Sequence, residues 1–361
     1  MTTKRRDQKK FSRRSALKVL AVGAGTTVVG PMLGACVVPT VTPAAPVEAT
    51  QETKRKVIFV THDLNPFFVP AVVGLKDFGA LAGWDTDFIG PVPHDAQKTI
   101  EMQYNAIAAK PDAVGFTAID SQAYNDPIKQ AQDEGIFVVL YNTRAPGVKE
   151  ATGAAYVGQD FVVAGNVAGY ECCKYIDKHT GKTEGKIIMS NFAPGHFALE
   201  TRNLGGTQGV ERYNQEFGTS FTTEDLATSS DEAEAIAKFE AKWAAEGDQI
   251  VGWLSSEFTH TFIGNWAKEE GLVGQFAVGG YDLLDQTLEN IKDGSVDFTI
   301  GQNPYAQGFL TAALIFQGLE RGYPASDIDT GAEIVDASNI DAVIERESLW
   351  KESGEELGIV G

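Results

Sequence analysis

The sequence predicts an α/β fold made of two doubly wound lobes, each with a parallel sheet covered by helices on both faces. From residue 56 onward, short runs of β-branched and aromatic residues alternate with segments whose apolar residues recur at helical spacing. About ten such units are more than one open sheet commonly holds. The alternation also restarts near residues 156–160, so two lobes of about 140 residues each fit the length best.

The predicted strands are the short runs rich in Val, Ile, Phe and Thr, residue types that favour a pleated, half-buried surface. They cover residues 57–60, 86–89, 113–117, 136–141, 155–157, 186–189, 220–226, 250–254, 276–278 and 297–300. The predicted helices are the segments of helical apolar spacing between them. They cover residues 67–82, 96–109, 122–134, 163–176, 199–217, 233–245, 258–269, 283–292 and 305–319. Because strands and helices alternate strictly, we expect parallel sheets joined by right-handed crossovers.

A ligand-binding cleft is expected between the lobes, because open parallel sheets bind ligands outside the carboxyl ends of their strands. The loops at these ends are rich in aromatic residues and amides, which pack on sugar C–H faces and hydrogen-bond hydroxyls. This mixture suits a neutral, polyhydroxylated ligand. The candidate binding residues are Asn65, Phe67, Phe68, Asn142, Arg144, His196, Arg202, Ser256, Glu257, Tyr281, Asp282 and Gln302.

Several of these candidates also have a purely structural interpretation. Phe67 and Phe68 are alternatively core residues at a helix start, and Asn65 before Pro66 is a good helix cap. Acidic side chains likewise cap helices, which is the alternative for Asp282 and Glu257. Arg202 is alternatively a solvated helix residue and His196 a surface loop residue.

The cysteines and one tryptophan are expected to be structural. Trp253 lies inside an apolar strand and is expected in the core. Cys172 and Cys173 are adjacent on a predicted helix, where they point to different faces and make a poor disulfide. We expect both to be buried small apolar residues.

The N-terminus predicts export and lipidation. Arg13 and Arg14 precede a mildly apolar stretch, as in a Tat export signal, and the run Leu-Gly-Ala-Cys that ends at Cys36 is typical of a lipobox. We therefore expect a signal peptide at 1–35 and a lipidated cysteine with a flexible Pro/Thr/Ala-rich linker at 36–55. The alternative is an uncleaved anchor helix at 19–35, which Pro31 and four glycines disfavour.

Charge and motifs exclude several classes of function. The whole chain has a formal net charge of −19, and without the basic residues 1–35 it has −26. Such acidity argues against nucleic acid as a partner and against a domain lying on anionic lipid. The chain has no P-loop, no Gly-x-Ser-x-Gly and no His-Glu-x-x-His, and its five histidines are scattered. We predict no catalysis, no metal and no cofactor.

The ordered set Asn65-Pro66-Phe67-Phe68, Gly280–Asp282 and Gly301-Gln302-Asn303-Pro304 resembles the ribose-type, or cluster B, periplasmic sugar-binding proteins of ABC transporters. The resemblance covers residues 56–342. It implies the periplasmic binding protein type I fold, two Rossmann-like lobes joined by a three-strand hinge. The implied N-terminal lobe is 55–157 plus 303–331, and the C-terminal lobe is 158–302 plus 332–361.

The resemblance also implies roles for particular positions. Asn65, Phe67, Phe68, Arg202, Tyr281, Asp282 and Gln302 match residues with which the family binds its ligand. Asn142, Thr143 and Ser256 differ from the residues that ribose binders carry at these positions, which argues against ribose as the ligand. Arg144 lies one position after the place of the family's arginine. The segment at 88–91 resembles the branch that binds rhamnose or autoinducer-2.

The function that the resemblance implies is capture of a monosaccharide or sugar alcohol outside the cytoplasm. Hinge closure would trap the ligand for delivery to the permease and ATPase subunits of an ABC transporter, and we expect a monomer held at the membrane only by its lipid. The alternative on the same fold is a receptor for autoinducer-2 or for chemotaxis. A LacI-like repressor shares the fold but begins with a DNA-binding helix-turn-helix, where this chain has an export signal.

Overall fold

The computed structural model describes residues 54–359, and these contain two six-stranded sheets with helices on both faces. The predicted signal peptide and Cys36 lie outside the described residues, as does the linker up to residue 53. Within residues 54–359, no helix is both long and apolar enough to cross a bilayer.

The first half of the chain forms strands and helices in the predicted alternation, with a 3₁₀ turn at Pro66–Phe68 before the first helix. In chain order the elements are β1 (Lys56–Val60), α1 (Val69–Ala82), β2 (Asp85–Ile89), α2 (Ala96–Ala108), β3 (Ala113–Ala118), α3 (Ser121–Asp133), β4 (Phe137–Arg144), α4 (Val148–Thr152) and β5 (Ala155–Gly158). Aspartates at 95 and 120 cap α2 and α3 by accepting hydrogen bonds from first-turn amides, which fixes where these helices begin.

The second series of elements follows directly. It consists of α5 (Phe161–Thr180), β6 (Glu184–Asn191), α6 (Phe197–Phe217), β7 (Ser220–Ala227), α7 (Glu232–Glu246), β8 (Ile250–Ser255), α8 (His260–Glu269), β9 (Ala277–Tyr281), α9 (Asp285–Asp293) and β10 (Phe298–Gly301). The chain then continues through α10 (Pro304–Arg321), β11 (Ile328–Asp329), β12 (Glu333–Asp336) and α11 (Ile340–Leu357).

The strand order shows that the chain passes between the two sheets three times. The first sheet has the order β11-β5-β4-β3-β1-β2 and the second β12-β10-β9-β8-β6-β7. We call the three connecting segments the crossings: residues 159–160 after β5, 302–303 after β10 and 330–332 between β11 and β12. The sheets with their helices are the first and second lobes.

One edge strand departs from the prediction of strictly parallel sheets. Strand β12 pairs with β10 in the antiparallel sense, with Phe298 opposite Asp336. The prediction was wrong here because the alternation of strands and helices on which it depended stops after α10: β12 follows β11 after three residues, with no helix between them. All other strand pairs in the described sheets are parallel, as expected.

Each sheet is covered by one apolar cluster on either face. In the first lobe, α2 and α3 cover one face and α1 and α10 the other. In the second lobe, α5 and α6 cover one face, while α7, α8, α9 and the start of α11 cover the other. Trp253, Cys172 and Cys173 are all fully buried in the second lobe, which confirms their predicted core positions.

Close packing of α5 on α6 positions the start of α6 at the junction of the lobes. A Cβ atom on Gly169 would lie 2.0 Å from the carbonyl oxygen of Gly206, and one on Gly165 would lie 2.3 Å from that of Arg202. Only glycine permits this approach of two backbones. The contact holds the backbone of Arg202 against the first turns of α5, which directly follows the first crossing.

Candidate functional site

The carboxyl ends of strands from both sheets face one cleft, across which the lobes touch. Phe197, at the start of α6 in the second lobe, packs against the core of the first lobe. Its ring centroid lies 5.9 Å from that of Phe161, where the second lobe begins. The lobes are therefore closed on each other in this structure.

Aromatic rings lie in the segment that follows β1, at the carboxyl end of the first sheet. Phe67 and Phe68 meet edge to face with ring centroids 5.1 Å apart, and Phe68 also meets the ring of His62 at 5.6 Å. Phe68 is buried, as expected of a core residue, whereas Phe67 is half-buried and keeps part of its surface available to a ligand. Asn65 is the predicted helix cap, because its Oδ1 accepts a hydrogen bond from the backbone amide of Phe67 at 3.0 Å.

Asn142 lies at the end of β4 in a left-handed backbone conformation with φ of 61°. Its amide nitrogen donates to Oε1 of Gln307 at 3.0 Å, and its Oδ1 accepts from the hydroxyl of Thr143 at 2.8 Å. Asp282, directly after β9, and Asn303, on the second crossing, also have positive φ, so three residues of this region have a strained backbone. Such strain concentrates at functional sites.

Arg144 is committed to an ion pair inside its own lobe rather than left available for a ligand. Its two terminal nitrogens donate to the two carboxylate oxygens of Asp327 at 2.8 and 2.9 Å, and its guanidinium stacks on Tyr156. This contact, together with Lys149, outweighs the desolvation of Asp327 and lowers the pKa of that carboxyl to about 2. The ligand role of Arg144 stays a prediction, which this ion pair disfavours because both terminal nitrogens already donate to Asp327.

Arg202 is buried, with 5% of its surface exposed, which excludes the solvated alternative. Its Nη1 donates to the carbonyl oxygen of Ser256 and its Nη2 to Oε1 of Gln159, both at 3.0 Å. The guanidinium lies 4.2 Å from the ring centroid of Tyr281, a close cation–π contact. Four elements thus converge on this one side chain.

Asp282 follows β9 and pairs with the residue that follows β10. Nε2 of Gln302 donates to Oδ1 of Asp282 at 2.5 Å. Burial raises the pKa of Asp282, while Arg202 and this hydrogen bond act in the opposite direction. Asp282 does not cap the next helix, because α9 begins three residues later at Asp285.

Ser256 and Glu257 follow β8 and are fully buried. The hydroxyl of Ser256 donates to the carbonyl oxygen of Ser190 at 3.1 Å. The carboxyl of Glu257 accepts from the amide and the hydroxyl of Thr259 at 2.7 and 2.8 Å, so it holds the residue that precedes α8 but bonds to no first-turn amide of that helix. Burial raises the pKa of Glu257 to about 7.

His196 precedes α6 at the rim of the cleft, and its ring is stacked on that of Phe197 with an interplanar angle of 7°. Partial burial lowers the pKa of His196, and Arg202 and His94 lower it further. The proximity of His94, a first-lobe residue, places His196 where the two lobes face each other.

Three buried polar atoms at the cleft lack a hydrogen-bond partner among residues 54–359. They are Nδ1 of His62, Nε of Arg202 and the hydroxyl oxygen of Tyr281. An unpartnered buried polar group costs about 1–3 kcal/mol, which a polar ligand that reaches these atoms would offset. One comes from the first lobe and two from the second.

Comparison with known proteins places the chain in a family. The sequence profile described as the periplasmic binding protein domain matches residues 57–322. The chain belongs to this family. One relative of this periplasmic binding protein is the xylose/arabinose-binding protein XylF of Sulfolobus acidocaldarius. The two sequences are 29% identical over 305 residues, which cover 79% of this chain and 72% of XylF.

Solved structures share the fold of this periplasmic binding protein. The sugar-binding protein of a Bacillus halodurans sugar ABC transporter has a TM-score of 0.71 at 20% identity and covers 80% of this chain and 99% of its own. A carbohydrate transporter solute-binding protein from Agrobacterium radiobacter, solved with D-arabinose, has a TM-score of 0.69 at 21% identity, with coverage of 82% and 99%. These structures confirm the periplasmic binding protein type I-like architecture of two α/β lobes.

Two residues of this periplasmic binding protein that were not among the predicted binding residues contact them: His62 meets the ring of Phe68, and Gln159 accepts a hydrogen bond from Arg202. His62 follows β1, and burial lowers the pKa of its ring to about 3, so the imidazole stays neutral. Gln159 lies on the first crossing, directly before the aspartate that caps α5. The position of polar Gln159 at the break between the two β-α series could have marked it as a candidate. Its partners could not have been found in this way, because they are remote in sequence.

The described part of this periplasmic binding protein contains no cluster of three or more side chains suited to hold a metal ion. Burial raises the pKa of Cys173 to about 12 and also raises that of Cys172, so both thiols stay protonated at neutral pH.

Proposed function

We propose that this protein captures a neutral monosaccharide or sugar alcohol between its lobes and delivers it to the permease of an ABC transporter. The observation that carries the proposal is the set of unpartnered buried polar atoms from both lobes, His62 Nδ1, Arg202 Nε and Tyr281 hydroxyl, together with the rings of Phe67 and Phe68 after β1. Rings bind the apolar faces of a sugar, and polar atoms bind its hydroxyls.

The charges at the site favour an uncharged ligand. Arg202 lies close enough to Asp282 and Glu257 to influence the pKa of both carboxyls. The guanidinium and Asp282 offset each other, and Glu257, whose pKa burial raises to about 7, is about half ionised at neutral pH. A carboxylate or ammonium group on the ligand would have no full counter-charge in this closed, buried space.

The relatives suggest which sugars to test first. The archaeal relative is named for xylose and arabinose, and the Agrobacterium protein was solved with D-arabinose. We infer that a pentose, or a polyol of similar size, is the ligand of this chain. Lipidation at Cys36 would hold the protein, as a monomer, at the outer face of the membrane where the permease opens.

Closure would trap the ligand because each lobe contributes part of the site. Phe67, Phe68 and His62 belong to the first lobe, while Arg202 and Tyr281 belong to the second. A sugar that contacts both walls stabilises the closed state by its differential affinity for it. No bond is made or broken in this process.

The test is thermal shift and calorimetry of the purified chain with D-xylose, L-arabinose, D-ribose, D-glucose and xylitol. A ligand at 100 times its Kd stabilises the folded state by about 2.7 kcal/mol, which raises the Tm measurably. Leucine and glucuronate serve as charged controls. Failure of every neutral sugar and polyol to raise the Tm would refute the proposal.

Two variants test the site. Arg202→Ala and Asp282→Ala should each weaken sugar binding by roughly 100-fold, since charged hydrogen bonds contribute about 1.5–3 kcal/mol each. Arg212→Ala is the matched control, because Arg212 lies on the same helix with its guanidinium on the ring of Tyr170. Unchanged affinity in both test variants would place the ligand elsewhere.

A further inference from the structure

Gln159 connects all three crossings with the arginine of the site. The residue lies on the first crossing, and only 1% of its surface is exposed. Its Nε2 donates to the carbonyl oxygen of Gly331 on the third crossing at 3.1 Å and to that of Gly301, the last residue of β10 before the second crossing, at 3.4 Å. Its Oε1 accepts from Nη2 of Arg202 at 3.0 Å.

The orientation of this amide is fixed by its partners. Arginine only donates hydrogen bonds and backbone carbonyls only accept them. Oε1 must therefore face Arg202, and Nε2 must face Gly301 and Gly331. Both N–H groups of Gln159 are used, so the side chain has no donor left for a ligand, and its role is to position Arg202.

We propose that Gln159 makes the orientation of Arg202 depend on the closed geometry of the crossings. Lobe rotation changes the backbone angles of connecting segments, which moves the carbonyl groups of the three crossings relative to one another. The two donors of Gln159 meet both carbonyl oxygens in the closed arrangement seen here. Closure therefore fixes Gln159, and Gln159 fixes Arg202 against Tyr281.

The consequence for binding, which rests on the proposed function, is kinetic. A sugar entering the open cleft meets Arg202 before Gln159 has fixed it, so the association rate does not depend on this contact. Dissociation requires the crossings to move and Arg202 to be released. Gln159 should therefore prolong the lifetime of the bound state with little influence on the association rate.

Two substitutions separate this role from simple packing. Gln159→Leu keeps much of the side-chain volume and removes all three hydrogen bonds. Gln159→Glu keeps the contact with Arg202 but places a carboxylate oxygen against the carbonyl oxygens of Gly301 and Gly331. Gln103→Leu is the matched control, because Gln103 is equally buried and its Nε2 donates to the carbonyl oxygen of Thr117 within the first lobe.

The first measurement is stopped-flow tryptophan fluorescence with a sugar that binds the wild type. Gln159→Leu should raise the dissociation rate about tenfold or more and change the association rate less than about twofold. Gln159→Glu should raise the dissociation rate at least as much. An unchanged dissociation rate, or the same kinetic change in Gln103→Leu, would overturn the proposal.

The second measurement needs no sugar and so separates this proposal from the proposed function. Hydrogen exchange of the unliganded chain should be faster in Gln159→Leu at residues 157–162, 300–304 and 329–333 together. Gln103→Leu should leave these three segments unchanged. If no sugar binds the wild type, the proposed function fails, but hydrogen exchange at the crossings still tests whether Gln159 links them. Unchanged exchange at the three segments in Gln159→Leu would overturn that link.

Discussion

The carboxyl of Glu257 should make folding stability depend on pH in a defined direction. Burial raises its pKa from 4.5 to about 7 in the folded chain. Glu257→Gln removes the titration while keeping the shape, and Thr259 can bond to an amide because its hydroxyl both donates and accepts. The substitution therefore isolates the charge of one buried group.

The sign and size follow from proton linkage. The folded state holds the Glu257 proton more tightly than the unfolded state, so its stabilising contribution is full below pH 4.5 and is lost as the pH rises to about 7. Each pKa unit corresponds to about 1.36 kcal/mol, which gives about 3 kcal/mol over the whole window. Between pH 5 and pH 8 the wild type should lose about 2–3 kcal/mol relative to Glu257→Gln.

Urea unfolding of the sugar-free chain, followed by tryptophan fluorescence at pH 5 and pH 8, measures this difference. Comparison of the two proteins at each pH cancels the contributions of His62 and His260, whose pKa values burial lowers to about 3 and about 4. Glu211→Gln, on the exposed side of α6, is the control. The reasoning would be refuted if the difference in free energy of unfolding between wild type and Glu257→Gln changed by less than about 0.5 kcal/mol from pH 5 to pH 8.

Two further predictions concern the ends of the chain. Cys36→Ser should give an exported protein that fractionates with the soluble material, and normal membrane retention would refute the lipobox. Trp350→Ala should lower the free energy of unfolding by about 1–2 kcal/mol in urea titrations, because the half-buried ring stacks on Tyr305 with centroids 5.6 Å apart. Leu349→Ala, which truncates an exposed neighbour, is its control, and equal effects of the two substitutions would contradict the prediction.

The core of the fold was predictable because apolar runs carry a strong signal. Strand β1 was predicted to within one residue, since four consecutive apolar residues between polar ones fit a buried parallel strand. Other strands were predicted too short at their carboxyl ends. Strand β4 continues to Arg144, β6 to Asn191 and β9 to Tyr281. These ends carry the polar residues of the site, which interrupt the apolar pattern by which a strand is recognised.

The C-terminal tail carried too weak a pattern for its secondary structure to be predicted. Helix α11 is rich in Glu and has few apolar residues, and it gains its stability from contacts with both lobes. Ile340 and Val343 are buried in the second lobe, whereas Trp350 stacks on Tyr305 at the start of α10 in the first. The resemblance assigned the tail to the C-terminal lobe alone, and its contacts with the first lobe go beyond that assignment.

The two arginines of the predicted site show what residue type cannot decide. Arg144 ends β4 and Arg202 lies in α6, and both suit a hydroxylated ligand, yet their partners differ. Asp327, far away in the sequence, uses the whole fork of Arg144. Arg202 meets only a carbonyl oxygen and Gln159, and its Nε has no partner among the described residues. Availability for a ligand is thus set by long-range pairing, so the chemistry of this site was predictable from the sequence while the choice between its arginines was not.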